Sequence, residues 1–179
     1  STIWALIWSW ILMIIYIGFR FHSWVFGLAA VIALIHDAII SIGAVAFCGL
    51  FLPERLGLNF ELNLPSVAAI LTVMGYSVND TIVVFDRIRE NLGLMKRETF
   101  PEIINKSVNQ TLSRTVLTSF ATWISVALLY FVSMRASSSI ENLAFPLLVG
   151  IIIGTYSSIY IASPILIEWY KGRKPEIAG

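Results

Sequence analysis

The sequence has 179 residues, of which 58% are hydrophobic and 13% charged; 12 Lys and Arg against 11 Asp and Glu leave a formal net charge of +1. Its mean hydropathy of +0.83 lies outside the range of a soluble domain of this length. The near-zero charge excludes nucleic acid as a bulk electrostatic partner, because phosphate binding needs a concentrated basic face. The single cysteine, Cys48, excludes an intrachain disulfide and a cysteine-built metal site, and reads as a small buried hydrophobe.

Apolar runs long enough to cross a bilayer as helix, roughly 20 residues each, occur five times: Ile3 to Gly18, Val25 to Leu52, Pro65 to Phe85, about Thr111 to Ser133, and Phe145 to Tyr170. Breakers and charges separate them at Gly18-Phe-Arg20-Phe-His22, Pro53-Glu54-Arg55, Asp86 through Lys106, Arg135 to Glu141, and from Lys171 onward. The expectation is an all-α, polytopic membrane bundle of five transmembrane helices forming a single domain over residues 1–179. The chain opens Ser-Thr-Ile-Trp inside an apolar stretch with no initiator Met, basic n-region or cleavage site, and reads as the C-terminal part of a longer chain.

The first span carries Trp4, Trp8 and Trp10 near one end, as interfacial anchors or packing residues. In the second, Ala30, Ala33, Ser41, Ala44 and Cys48 make a small-residue stripe through the position of Asp37. Its neighbour His36 should point about 100° away, so the two are not expected to form a dyad. Helix packing, hydrogen bonding and proton transfer all remain open for them. His36 alone is a poor metal signal.

Asp80 lies inside the third span, where a carboxylate is expensive without a partner or a hydrated cavity. It is a candidate functional residue, against the alternative of a protonated or structurally paired aspartate. The following Asp86-Arg-Ile-Arg89-Glu90-Asn91 reads as a solvated, snorkelling helix end. Thr99-Phe-Pro101-Glu102 is a capping box with proline at an early helical position. Ile103, Ile104 and Val108 then offer one apolar face, for a segment lying at the membrane interface before turning inward or for a solvated loop helix.

Arg114 is the matching oddity of the fourth span, permanently charged and in need of an acidic partner. At ~1.5 Å per residue, Asp80 and Arg114 both lie roughly 12 Å from the same end of their spans. They are expected on facing sides of adjacent helices, in contact directly or through one water. Ser107, Thr111, Arg114, Thr118, Thr122 and Ser125 recur at steps of four, three, four, four and three, a polar stripe expected to point into the bundle or a hydrated path. In the fifth span Gly150 and Gly154 form GxxxG, continued by Ser158 and Ala162, and imply close helix packing.

Counting Lys and Arg on alternate sides puts Arg20, Arg87, Arg89, Lys96, Arg97, Lys106, Lys171, Arg173 and Lys174 together, against Arg55 and Arg135. The positive-inside rule then makes the first group cytoplasmic, with the N-terminal end outside and the C-terminus inside. The sequence holds no GxSxG elbow, HExxH, Walker loop or cluster of metal ligands. That disfavours membrane hydrolysis and nucleotide-driven transport, and no enzyme activity, cofactor or metal is expected.

The string Gly75-Tyr-Ser-Val-Asn-Asp80-Thr-Ile-Val-Val-Phe-Asp86-Arg-Ile-Arg89-Glu-Asn91 resembles the signature of SecF in the SecD/SecF protein-export family, within the RND transporter superfamily. Further matches are Gly18-Phe-Arg20-Phe, Ala33-Leu-Ile-His36-Asp37, Asn109-Gln-Thr-Leu-Ser-Arg114-Thr and Gly154-Thr-Tyr-Ser-Ser-Ile-Tyr-Ile-Ala-Ser163. Ser113 stands before Arg114 where some relatives have histidine. The resemblance implies helices two to six of a six-helix subunit, with the first helix and the periplasmic domain absent. It implies an auxiliary role in the Sec translocon of the bacterial plasma membrane, coupling proton movement to late steps of protein export. Asp80 and Arg114 then match proton-relay positions, with His36, Asp37, Ser77, Asn79, Thr81, Gln110, Thr111 and Thr118 as supporting polar residues. The partners implied are SecD first, then the SecYEG channel, with YajC and YidC beyond, together with membrane lipid and the translocating polypeptide. The alternatives are another RND-type proton-coupled exporter of lipid or small molecule, and a non-transporting scaffold of a membrane complex.

Overall fold

The computed structural model describes residues 2–21, 23–51, 62–133 and 138–175, and within them every element is helical. In chain order these are α1 (Thr2–Phe21), α2 (Trp24–Phe51), α3 (Leu64–Leu94), α4 (Phe100–Ser133), α5 (Ser138–Ser157), a π-helical turn (Ser158–Ala162) and α6 (Ser163–Trp169). Helices α2, α3 and α4, and the continuous run Ser139–Trp169, are each long and apolar enough to cross a membrane; α1 adds a 20-residue apolar helix. Four candidate spans and a fifth apolar helix therefore occur among the described residues, where the hydropathy pattern predicts five. Arg55 and Arg135 lie outside the described residues.

Local chemistry sets the helix ends. Asn63 caps α3 by accepting from the Ser66 backbone N–H at 3.2 Å, and Pro65 follows in the first turn, where a missing N–H costs nothing. Glu102 reaches back to the Thr99 N–H at 2.7 Å, completing the predicted capping interaction at the start of α4. The run from α5 to α6 changes winding where Pro164 cannot donate to the carbonyl one turn back. The π turn lies just before this proline, and Ser163 Oγ donates to the Ser158 carbonyl at 3.3 Å.

Bilayer lipid is as apolar as leucine, so these helices are held by close packing and polar contacts rather than by expulsion from water. Helix α5 sits at the centre, against α2, α3 and α4. Gly150, Gly154, Ser158 and Ala162, the predicted small-residue line, are all buried. A Cβ on Gly150 would run into Val73, whose Cγ1 would be 2.6 Å away, and one on Gly154 would meet Ser77 Cβ at 3.0 Å. At one end of the bundle Phe21 stacks on Phe26 at 5.6 Å, and Phe85 meets both rings edge-on.

The basic side that the sequence defines gathers at that same end. Arg20 pairs with Asp86 at 3.1 Å, and Lys174 Nζ donates to the carbonyls of Met95 and Lys96 at 2.9 Å each. Two expectations for this end need correction. The segment from Asp86 to Asn91 is docked rather than wholly solvated: Ile88 and Asn91 are buried, and Asn91 Nδ2 donates to Ser107 Oγ at 2.7 Å and Gln110 Oε1 at 2.9 Å. The segment after Thr99 does not turn: Phe100, Ile103 and Ile104 are buried against protein and α4 continues unbroken to Ser133.

Candidate functional site: two buried carboxylates in a hydroxyl network

Within about one turn of α3, Tyr76 and Asp80 face α4 while Ser77 faces α2, and this splits its polar residues between two sites. Ser77 faces α2 and α5. Its hydroxyl donates to Asp37 Oδ2 at 2.6 Å, and Ser157, in the last turn of α5, donates to the same oxygen at 2.8 Å. Asp37 is fully buried, and its other oxygen lies 3.1 Å from His36 Nδ1. The expectation that these neighbours would not meet is wrong. Their Cβ bonds diverge, but Nδ1 is the ring nitrogen nearest the backbone and reaches sideways to a short carboxylate. Thr81, also buried, bonds back to the Ser77 carbonyl at 3.1 Å and does not touch either carboxylate.

Asp80 faces α4. It is 5% exposed, and its Oδ2 accepts from Ser119 Oγ at 3.2 Å. Ser119 is a junction, accepting in turn from Thr155 Oγ1 of α5 at 2.7 Å and from the Tyr76 hydroxyl at 3.3 Å. One serine thus ties α3, α4 and α5 together around a carboxylate.

Arg114 lines a cavity of about 100 Å³ with Asp80, Tyr76, Asn79, Thr115 and Thr118. A water needs roughly 10–15 Å³ of space for its centre, so several fit between the two charged groups. No Asp80–Arg114 ion pair occurs within 4 Å among the described residues. The expected contact is therefore not direct; the two groups share a cavity large enough for water.

The polar stripe of α4 divides between the bundle and the cavity. Ser107 and Thr111 are buried as expected, Arg114, Thr118 and Thr122 line the cavity beside Asp80, and Ser125 is exposed. The line that actually faces the bundle is Ser107, Thr111, Thr115 and Ser119, all buried. Asn79 and Gln110 are exposed, and Gln110 holds the Arg87 side chain at 2.7 Å rather than joining either carboxylate. Sequence reasoning missed Tyr76, Thr115, Ser119, Thr155 and Ser157. Ser157 and Thr155 flank the GxxxG line, and a strict four-residue step from Ser107 finds Thr115 and Ser119. Among the described residues no group of three or more His, Cys, Asp or Glu side chains gathers to hold a metal.

Helices spanning a membrane, with two carboxylates sunk among hydroxyls between them, define a polytopic membrane protein with an ionisable centre. Residues 1–172 match the family described as "Protein export membrane protein SecD/SecF, C-terminal", and the chain belongs to it. It is 46% identical to protein translocase subunit SecF of Koribacter versatilis over 90% of this chain and 36% of that protein. With SecF of Desulfurispirillum indicum the identity is 48%, over 92% of this chain and 49% of that one. The crystal structure of SecDF, a translocon-associated membrane protein from Thermus thermophilus, superposes with a TM-score of 0.79 at 40% identity. That match covers 95% of this chain and 22% of the other. The chain thus spans half or less of each of these relatives.

Proposed function

We propose that this chain is the membrane-embedded, proton-coupling part of a SecF-type subunit that assists protein export across the bacterial plasma membrane. Asp80 takes up and releases the proton. Arg114, across the shared cavity, favours its ionised form when near and releases that hold when the gap widens or fills with water. Each charge crossing the membrane delivers about 2.3 kcal/mol per 100 mV. The single observation that carries this reading is the cavity holding Asp80 and Arg114 together without an ion pair. A fixed pair would lock the carboxylate's charge, whereas a hydrated gap lets it change.

On this reading SecD is the nearest partner and the SecYEG channel the wider one, with YajC and YidC as further associates. The chain acts on a translocating polypeptide through its assembly and catalyses no covalent step itself. The basic end bearing Arg20, Lys96 and Lys174 is cytoplasmic. The test is Asp80→Asn in the full-length subunit, assayed for precursor export under a proton motive force while complex assembly is followed. Normal assembly with loss of export stimulation is expected. Wild-type stimulation would leave only a scaffold role.

A further inference from the structure

We propose that Ser119 and Thr155 are positioning residues that hand the protonation state of Asp80 to α5; this rests on the proton-coupling reading above.

A serine hydroxyl has one proton and two acceptor sites. When Asp80 is ionised it can only accept, so Ser119 spends its proton on Asp80 Oδ2 at 3.2 Å. Both acceptor sites of Ser119 are then filled, by Thr155 at 2.7 Å and Tyr76 at 3.3 Å. Protonated on Oδ2, Asp80 becomes a donor facing an oxygen with no vacant site. One of the two donors must turn away, and the proton of Ser119 needs a new acceptor.

Distances decide which. Thr155 Oγ1 has a second acceptor, the Ile151 carbonyl one turn back on α5, at 2.8 Å. The alternative for Tyr76 is Thr122 Oγ1 at 3.5 Å, past the range of a strong O–H···O bond. Rotation at Thr155 satisfies everything at once: Asp80 donates to Ser119, Ser119 to Thr155, and Thr155 to the Ile151 carbonyl. Every donor is satisfied in both orders, so the chain has two settings with no orphaned group. In the second setting Thr155 is committed to back-bonding within its own helix, a contact that bends helices. It does so three residues before the π-helical turn begins at Ser158.

The other charged or titratable groups near Asp80 do not offer this path. Arg114 and Tyr76 share its cavity, α5 brings only hydroxyls toward it, and Asp37 and His36 of α2 lie beyond Ser77.

The experiment uses the full-length subunit with its membrane partner in proteoliposomes. Infrared difference spectra follow the carboxyl stretch that disappears in Asp80→Asn, and spin labels on α3 and the cytoplasmic end of α6 follow helix movement as pH changes. In Thr155→Val the carboxyl band should still titrate while most of the pH-dependent distance change is lost. Thr155→Ser should restore it. Ser119→Ala should lose the distance change and also move the band, since its hydrogen-bond partner is gone. A full distance change in both Thr155→Val and Ser119→Ala, with the band titrating, overturns the inference and leaves proton coupling standing. Absence of any titrating band assignable to Asp80 overturns both. If Thr155→Val does not assemble, Ser119→Ala alone decides by the same readouts.

Discussion

At Gly150 the backbone of α5 packs directly on Val73 of α3, and a single methyl group there tests whether contact of backbone and side chain holds the bundle. In Gly150→Ala the new Cβ would lie 2.6 Å from Val73 Cγ1 and 2.9 Å from Val73 Cβ, well inside van der Waals contact. Val73 cannot swing aside, because it is β-branched and 1% exposed. The helices must separate or bend, at about 1–3 kcal/mol for overpacking. Trimming the neighbour should relieve this. Val73→Ala alone loses packing, but in lipid it loses little transfer energy, and the Gly150→Ala, Val73→Ala pair should be more stable than the sum of the single effects by at least about 1 kcal/mol. Gly75→Ala is the internal control: its Cβ meets nothing within 4 Å, so the gain in helix propensity should stabilise by about 0.4–1 kcal/mol. Unfolding of the purified protein in detergent, followed by tryptophan fluorescence, measures all four. A Gly150→Ala variant as stable as wild type, or strictly additive effects in the pair, would refute the packing argument.

Asp37→Leu should destabilise more than Asp37→Asn by at least about 2 kcal/mol, since leucine leaves the Ser77 and Ser157 hydroxyls without their acceptor while asparagine keeps an oxygen there; equal unfolding temperatures would contradict it. Asp80→Asn and Arg114→Gln should show a stability coupling below about 1 kcal/mol, because the two side chains are separated by a cavity rather than paired. A double-mutant cycle reporting strong coupling would mean the gap closes in the assembled complex. A cysteine introduced at Lys96 should be labelled by an impermeant reagent only after the membrane is opened, as the basic asymmetry requires; labelling in intact cells would invert the topology.

The spans, the buried Asp80 and the glycine line were all legible in the sequence because each is a property of one helix: its length, its depth, the spacing along one face. The hydroxyl partners were not, because they depend on how neighbouring helices are rotated and crossed. Helix α4 shows the difference. A stripe mixing steps of three and four runs straight along the axis, whereas a helix crossing its neighbour at an angle buries a row of four-residue steps, which is inclined to the axis. The straight stripe from Ser107 therefore reaches the cavity beside Asp80 from Arg114 onward, while the inclined row Thr111, Thr115, Ser119 stays buried in the interface. Contact between His36 and Asp37 was missed for a related reason: direction at Cβ was taken for direction at the polar atom.

The choice of hydroxyls around the two carboxylates has a physical logic that salt bridges would not satisfy. An arginine in direct contact stabilises one protonation state of an acid and leaves a buried, uncompensated charge in the other, which is costly in a low-dielectric interior. A hydroxyl is donor and acceptor at once, so a chain of them can reverse its direction without losing a bond. Asp80 has such a chain through Ser119 to Thr155 and the Ile151 carbonyl. Asp37 differs, since two serine hydroxyls and His36 converge on it, and the hydroxyl bonds tie it to α3 and α5. Ser157 also lies 3.2 Å from the Gly154 carbonyl. Asp37 thus ties α2 to α3 and α5, whereas the hydroxyl chain beside Asp80 can run in either direction.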